Sequence, residues 1–249
     1  MESNWVKVAS PVITKGEPYV SDFYAISDCW VLNDNGTYKM WYTGGGAVYP
    51  DTILHSSIHY ATSSDGIHWQ KYNQNPVLDI NASGWDSLGV ETVSVIIDEQ
   101  AMPSQRYKMW YAGQTINDYR YDIGYAYSSD GIQWVKHSQS VIMVGQSGEW
   151  DNLFLEGPSV IKENDGYKMW YAAFDVDVNG QISDNKVCIG YATSTDGVTW
   201  VKYSGNPVMV PDGTGWDGVY MQDPHVIKYN NSYHMWYGCL LYTSPSPRD

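Results

Sequence analysis

The chain has 249 residues, enough for one large domain, and its 43% hydrophobic content marks a globular protein and excludes a disordered one. A net charge of -14 argues against nucleic acid or an anionic membrane surface as partner. No apolar run approaches the roughly 20 residues of a membrane helix.

The aromatic residues are 22 Tyr and 12 Trp against only 3 Phe, side chains that join an apolar face to a polar edge and suit a wet, sugar-binding cleft. The opening MESNWVKVAS lacks the apolar core of a signal peptide, so the protein is expected in the cytoplasm, or secreted or periplasmic if a leader precedes it. Within it, NWVKVASPVI matches a segment that recurs later, WQKYNQNPVL, WVKHSQSVIM and WVKYSGNPVM, and predicts an outer strand.

Repetition organises the rest. KMWY or HMWY recurs around Trp41, Trp110, Trp170 and Trp236, at spacings of 69, 60 and 66 residues. SSDGIHW, SSDGIQW and STDGVTW follow the first three copies, and GWD or EWD closes the units at Asp86, Asp151 and Asp217. A unit of about 60 residues with four short runs rich in aromatic and β-branched residues reads as one four-stranded blade of a β-propeller. Blades are expected from about residues 18, 90, 155 and 222, within a propeller spanning 1–238. Three and a half blades plus a lone outer strand point to a five-bladed ring, with four blades as the alternative.

In an antiparallel blade with strands A to D from the axis outward, the entry to A and the B-to-C connection share one face. That face carries the long, non-repeating loops TGGGAVYPDTILHSS, GQTINDYRYD and AFDVDVNGQISDNK. Loops over a rigid scaffold are where binding residues gather, so Tyr49, His55, Tyr119 and Arg120 are candidate substrate contacts. The A strands meet that face with acids: Asp28 in SDCWV, Glu91 in VETVSV, Glu156 in LEGPSV and Asp223 in QDPHV, with His225 beside the last. Four carboxylates around one funnel would raise some of one another's pKa values. Glycoside hydrolysis uses such a set, one carboxylic acid to protonate the leaving oxygen and one carboxylate as base or nucleophile.

The Asp-Gly turns at Asp65, Asp130 and Asp196 and the Trp-Asp pairs read as structural. In DVDVNG, Asp175, Asp177 and Asn179 place oxygens at alternate positions before a glycine, as a calcium loop does; the twelfth position is Lys186 and not a bidentate Glu. No cofactor is required, and calcium is the one metal the pattern admits. Cys29 and Cys188 read as buried small hydrophobes. CLLYTSPSPRD, residues 239–249, breaks off the fourth repeat and resembles translated sequencing adapter, so it is set aside as a non-native tail.

The motifs resemble those of the five-bladed propeller superfamily of arabinanases, β-xylosidases, levansucrases and invertases, glycoside hydrolase families 43 and 32. There an Asp opens blade one, an Asp blade two, and a Glu in a Glu-Gly-Pro-like setting blade three. The resemblance implies that Asp28 is the base or nucleophile and that Glu156, in Glu156-Gly157-Pro158, is the general acid. Aligned on the Trp of the B strand, Thr92 stands where the second Asp belongs; Glu91, one residue earlier, would then tune the acid.

The expected protein is a monomer acting on carbohydrate. The alternative from another class is a non-catalytic carbohydrate-binding propeller, which the Thr92 departure favours. A sialidase, which grips a carboxylate with three arginines, is disfavoured because only Arg106 and Arg120 precede the tail. A phosphorylase, which needs a cationic pocket, is disfavoured by the same scarcity.

Overall fold

Tyr, Trp, Val and Ile alternating with polar residues between Gly, Asp and Asn turns can bury one face of a pleated sheet, and the chain folds accordingly. The computed structural model describes residues 7–18, 20–46, 54–117, 119–174, 187–213, 216–218 and 220–240, and the fold is all-β. Blade one comprises β1 (Ala25–Asp34), β2 (Thr37–Gly46), β3 (His55–Ser63) and β4 (Gln70–Lys71). Blade two comprises β5 (Gly89–Ile97), β6 (Tyr107–Gln114), β7 (Tyr121–Ser128) and β8 (Trp134–Lys136), with a single 3-10 turn at Pro103–Gln105 between its first two strands. β9 (Phe154–Glu163), β10 (Gly166–Phe174), β11 (Cys188–Ser194) and β12 (Trp200–Lys202) make blade three. β13 (Tyr220–Tyr229) and β14 (Ser232–Leu240) form the inner hairpin of a fourth.

Pairing within each blade is antiparallel. The outer strands are shorter than the sequence suggests, two or three residues followed by an isolated bridge such as Ile123 to Ile142. Short outer strands leave little unpaired edge for another polypeptide to join.

The N-terminal segment predicted as an outer strand begins at Asn4, and residues 1–6 lie outside the described residues. Residues 7–18 contain no strand, and Ile13 packs on Met40, Tyr42 and Ala61 of blade one.

Three repeated devices lock the blades. The indole N–H of Trp41 donates to Gly131 O of the next blade at 2.8 Å, and that of Trp110 to Gly197 O at 2.9 Å. Those glycines sit in the Asp-Gly turns, whose Asp130 and Asp196 carboxylates accept two backbone N–H groups each. An acid near the end of each of the first three inner strands forms the second device. Asp98 meets Lys108 at 2.9 Å, Lys162 of the next blade at 2.5 Å and the Tyr167 hydroxyl at 3.0 Å. Asp34 and Glu163 repeat the pattern with Lys39, Arg106 and Tyr107, and with Lys168, Lys228 and Tyr233.

The Trp-Asp pairs supply the third. Asp86 accepts from the Tyr111 hydroxyl at 3.1 Å and Lys136 at 2.5 Å, while Trp85 lies stacked on Tyr111. Trp85 crosses the strands so closely that a Cβ on Gly113 or Gly124 would stand 2.5 or 2.7 Å from its ring. Trp150 lies over Tyr171 and Gly190 in the same way. Blade one replaces the pair: Ser21 takes the Trp position beside Asp22, and His59 takes the Gly position opposite Tyr42. Its imidazole fills the space of the indole, with Ser21 Oγ 2.9 Å from Nε2.

Breaking one partner of a buried ion pair costs about 3 kcal/mol or more, because the remaining charges stay desolvated. Asp98→Asn should therefore lower the unfolding free energy by about 3 kcal/mol in a denaturant titration, whereas Glu99→Gln, on an exposed carboxylate, should change it by less than about 0.5 kcal/mol. The buttress at Glu163, whose lysine and tyrosine partners hold its pKa down to about 2, adds a pH signature. Its contribution is complete above the unfolded value and is lost as pH falls from about 4.5 to 2. Melting temperature measured over that range should drop more steeply in the parent than in a Lys168→Met, Lys228→Met variant.

Candidate active site

The inner strands β1, β5, β9 and β13 each carry one extra residue against the second strand of their blade. The register slips between Ser27 and Trp30, Glu91 and Val93, Glu156 and Ser159, and Gln222 and His225. In each bulge one residue adopts positive φ: Asp28 at 47°, Thr92 at 45°, Gly157 at 57° and Asp223 at 51°. Left-handed backbone at a non-glycine residue costs of order 1 kcal/mol or more, and a β-branched Thr is the least suited to it. Strain repeated at one register around one axis marks a built mouth.

These bulges converge. Asp28, Cys29, Trp30, Thr92, Gly157, Asp223 and His225 line one cavity of about 170 Å³. Amides and hydroxyls knit the blades at its rim: Thr92 N donates to Thr43 Oγ1 at 3.1 Å, and Gly157 N to Thr92 Oγ1 at 3.1 Å. One register further in, Val160 N donates to Ser94 Oγ and Val226 N to Ser159 Oγ. Below, Val31, Val95, Val160 and Val226 line an apolar axial cavity of about 600 Å³. Gly157 is required twice over, by its φ and because a Cβ there would stand 3.0 Å from both the Cα and Oδ1 of Asp223.

The carboxylates fall into two sets. Asp28 and Asp223 occupy the bulge residue itself and are open to the funnel, whereas Glu91 and Glu156 sit one residue earlier and are half-buried. Burial, reinforced by the charges of Glu91, Asp223 and Asp28, pushes the Glu156 carboxyl up to about 8, so it is protonated at neutral pH. Burial also raises Glu91, against hydrogen bonds from Tyr121 and Ser56 that favour its ionised form. Burial and then the charge of Asp28 bring Asp223 up to about 6. An acid kept neutral beside ionisable carboxylates can donate a proton while a neighbour accepts one or attacks.

The other predicted contacts scatter. His225 is in the funnel, its imidazole pKa lowered by burial. His55 begins β3 with Nε2 2.8 Å from Asp79 Oδ1. Tyr119 is exposed in a tight turn at φ 60°, its carbonyl accepting from Gln114. Arg120 lines a separate rim cavity with Trp85 and Asp122. Tyr49, and the calcium-loop residues Asp175, Asp177 and Asn179, lie outside the described residues. No group of three or more His, Cys, Asp or Glu side chains is arranged to hold a metal among the described residues.

Cys188 is buried as expected, but Cys29 is exposed and lines the funnel, whereas Val93, at the same place after the bulge of blade two, is buried. The sequence motifs do not single out Tyr121 and Ser56. They hold equivalent positions in neighbouring blades, opposite Gln114 and Gly45, and both hydrogen-bond Glu91. Aligning the third strands of the repeats is the signal that would find them.

No protein-family model matches the chain. The uncharacterized protein Rv1502 of Mycobacterium tuberculosis (strain ATCC 25618 / H37Rv) is 30% identical over 164 residues, 65% of this chain and 50% of that one. The chain thus spans about half the length of the curated relatives it matches. Among solved structures, the BT0996 RGII complex superposes with a TM-score of 0.68 at 19% identity, over 85% of this chain and 65% of that one. Zg3597, a family 117 glycoside hydrolase of the marine bacterium Zobellia galactanivorans, gives 0.64 at 20% identity, over 90% and 70%. Glycoside hydrolases of families 43 and 32 are also similar in structure. The chain has the fold of the five-bladed β-propeller glycosidases that these families share.

Proposed function

We propose that this propeller is that of a glycoside hydrolase, with Glu156 as general acid and Asp28 as base or nucleophile. One observation carries the reading: a carboxyl favoured in its neutral form at neutral pH sits one residue before Gly157 of the funnel lining, within the electrostatic reach of Asp28, an exposed acid of the same lining. In the proposed step the Glu156 proton passes to the glycosidic oxygen as the bond to the anomeric carbon breaks. Asp28 either takes a proton from the attacking water, giving inversion, or attacks the anomeric carbon itself, giving retention. Glu91, tied by Tyr121 and Ser56, sustains the acid's high pKa through its charge. The chemistry needs two carboxylates and no cofactor.

Thr92 supports a second reading, a carbohydrate-binding propeller without turnover. It occupies the bulge position that carries Asp in blades one and four, and its hydroxyl is taken by Gly157 N.

Hydrolysis of a panel of alkyl and 4-nitrophenyl glycosides decides between them. Glu156→Gln should cut turnover of alkyl glycosides by about 100-fold or more, and of nitrophenyl glycosides by less, since a good leaving group needs little protonation. The parent's rate should decline as pH rises through about 8, where Glu156 loses its proton, and the Gln variant should lose that limb. A parent that binds glycosides but turns none over would establish the second reading. A Gln variant that keeps the alkaline limb would overturn the assignment of Glu156.

The raised pKa also predicts a stability cost. Folded Glu156 holds its proton more tightly than the unfolded chain, so its effect on stability is most favourable below the unfolded value near 4.3 and declines as pH rises to about 8. The melting temperature of Glu156→Gln relative to the parent should therefore rise between about pH 5 and 8, and a constant difference would contradict it.

A further inference from the structure

The four inner strands can be compared with one another position by position, and they divide two against two. Two residues past the bulge, blades two and three carry Ser94 and Ser159, whose hydroxyls accept the backbone N–H of the following blade. Blades one and four carry Trp30 and His225 there instead. These rings are in contact, with centroids 4.6 Å apart and planes inclined by 42°. Both line the cavity that holds Asp28 and Asp223.

Trp30 is retained at a cost: its buried Nε1 has no hydrogen-bond partner among the described residues. An unmet indole donor is disfavoured in a folded interior, and a ring without one would serve packing as well. Trp30 also packs against the buried core that blades one and two share, but core packing does not call for an unmet donor, nor for departure from the locking residue on the two strands bearing the open carboxylates.

We propose that Trp30 and His225 form a composite floor against which a sugar ring is held by its apolar C–H face, beneath Asp28 and Asp223. The inference rests on the carbohydrate-directed reading above and extends it to named positioning residues. The indole supplies the broad face, and the imidazole the edge that can reach a ring hydroxyl.

The test uses the Glu156→Gln protein, which binds without consuming its ligand, and methyl furanosides and pyranosides of common pentoses and hexoses as probes in calorimetric titration. For any probe bound, Trp30→Leu and His225→Leu should each weaken binding by about tenfold, in keeping with the loss of a stacking partner. Trp30→Phe, which keeps a face and removes the unmet donor, should bind within about threefold of its parent and melt no lower. Binding unchanged in both Leu variants would overturn the floor while leaving hydrolysis untouched. Binding without hydrolysis by the unsubstituted protein would overturn catalysis and leave the floor standing. Failure to bind any probe would overturn both.

Discussion

One extra residue in each inner strand determines what the rest of the molecule can do. A regular strand at the axis would send alternate side chains into the sheet packing and the channel, and a carboxylate could reach the mouth only at the strand end. The bulge turns the backbone through a left-handed residue, so that Asp28 and Asp223 point into the funnel while Val31 and Val226, three residues on, resume the apolar lining. The same turn brings Gly157 N to Thr92 Oγ1, so the distortion that exposes the acids also ties neighbouring blades together.

Strain of this kind persists only where the surroundings over-determine it. Here they do so by redundancy: indole to turn carbonyl, acid to two cations and a phenol, and tryptophan over glycine each repeat from blade to blade. Every device crosses or abuts a blade boundary, so stability accumulates between neighbours, as in other repeat architectures. The outer strands contribute little to this, and they are correspondingly short.

Much of this is readable in the residues. The KMWY and Asp-Gly-x-x-Trp motifs can be assigned to strands and turns because their chemistry is local, with an Asp that bonds two amides just after it. The propeller follows from counting them. The acids can be found because they interrupt apolar runs. What cannot be read is geometry that depends on pairing. Nothing in SDCW says that Cys29 is exposed, since alternation predicts it buried and Val93, at the same place after the bulge of blade two, is buried.

The exchange in blade one couples two positions 38 residues apart in the chain. Ser21 with His59 replaces the indole and glycine of the other blades, and neither half of the exchange is tolerable alone. A tryptophan at residue 21 would meet the imidazole that presses on Gly44, and a glycine at residue 59 would leave the room of an imidazole empty. The two positions must therefore change together, and both lie within the first blade, so a segment of that length carries the matched pair intact.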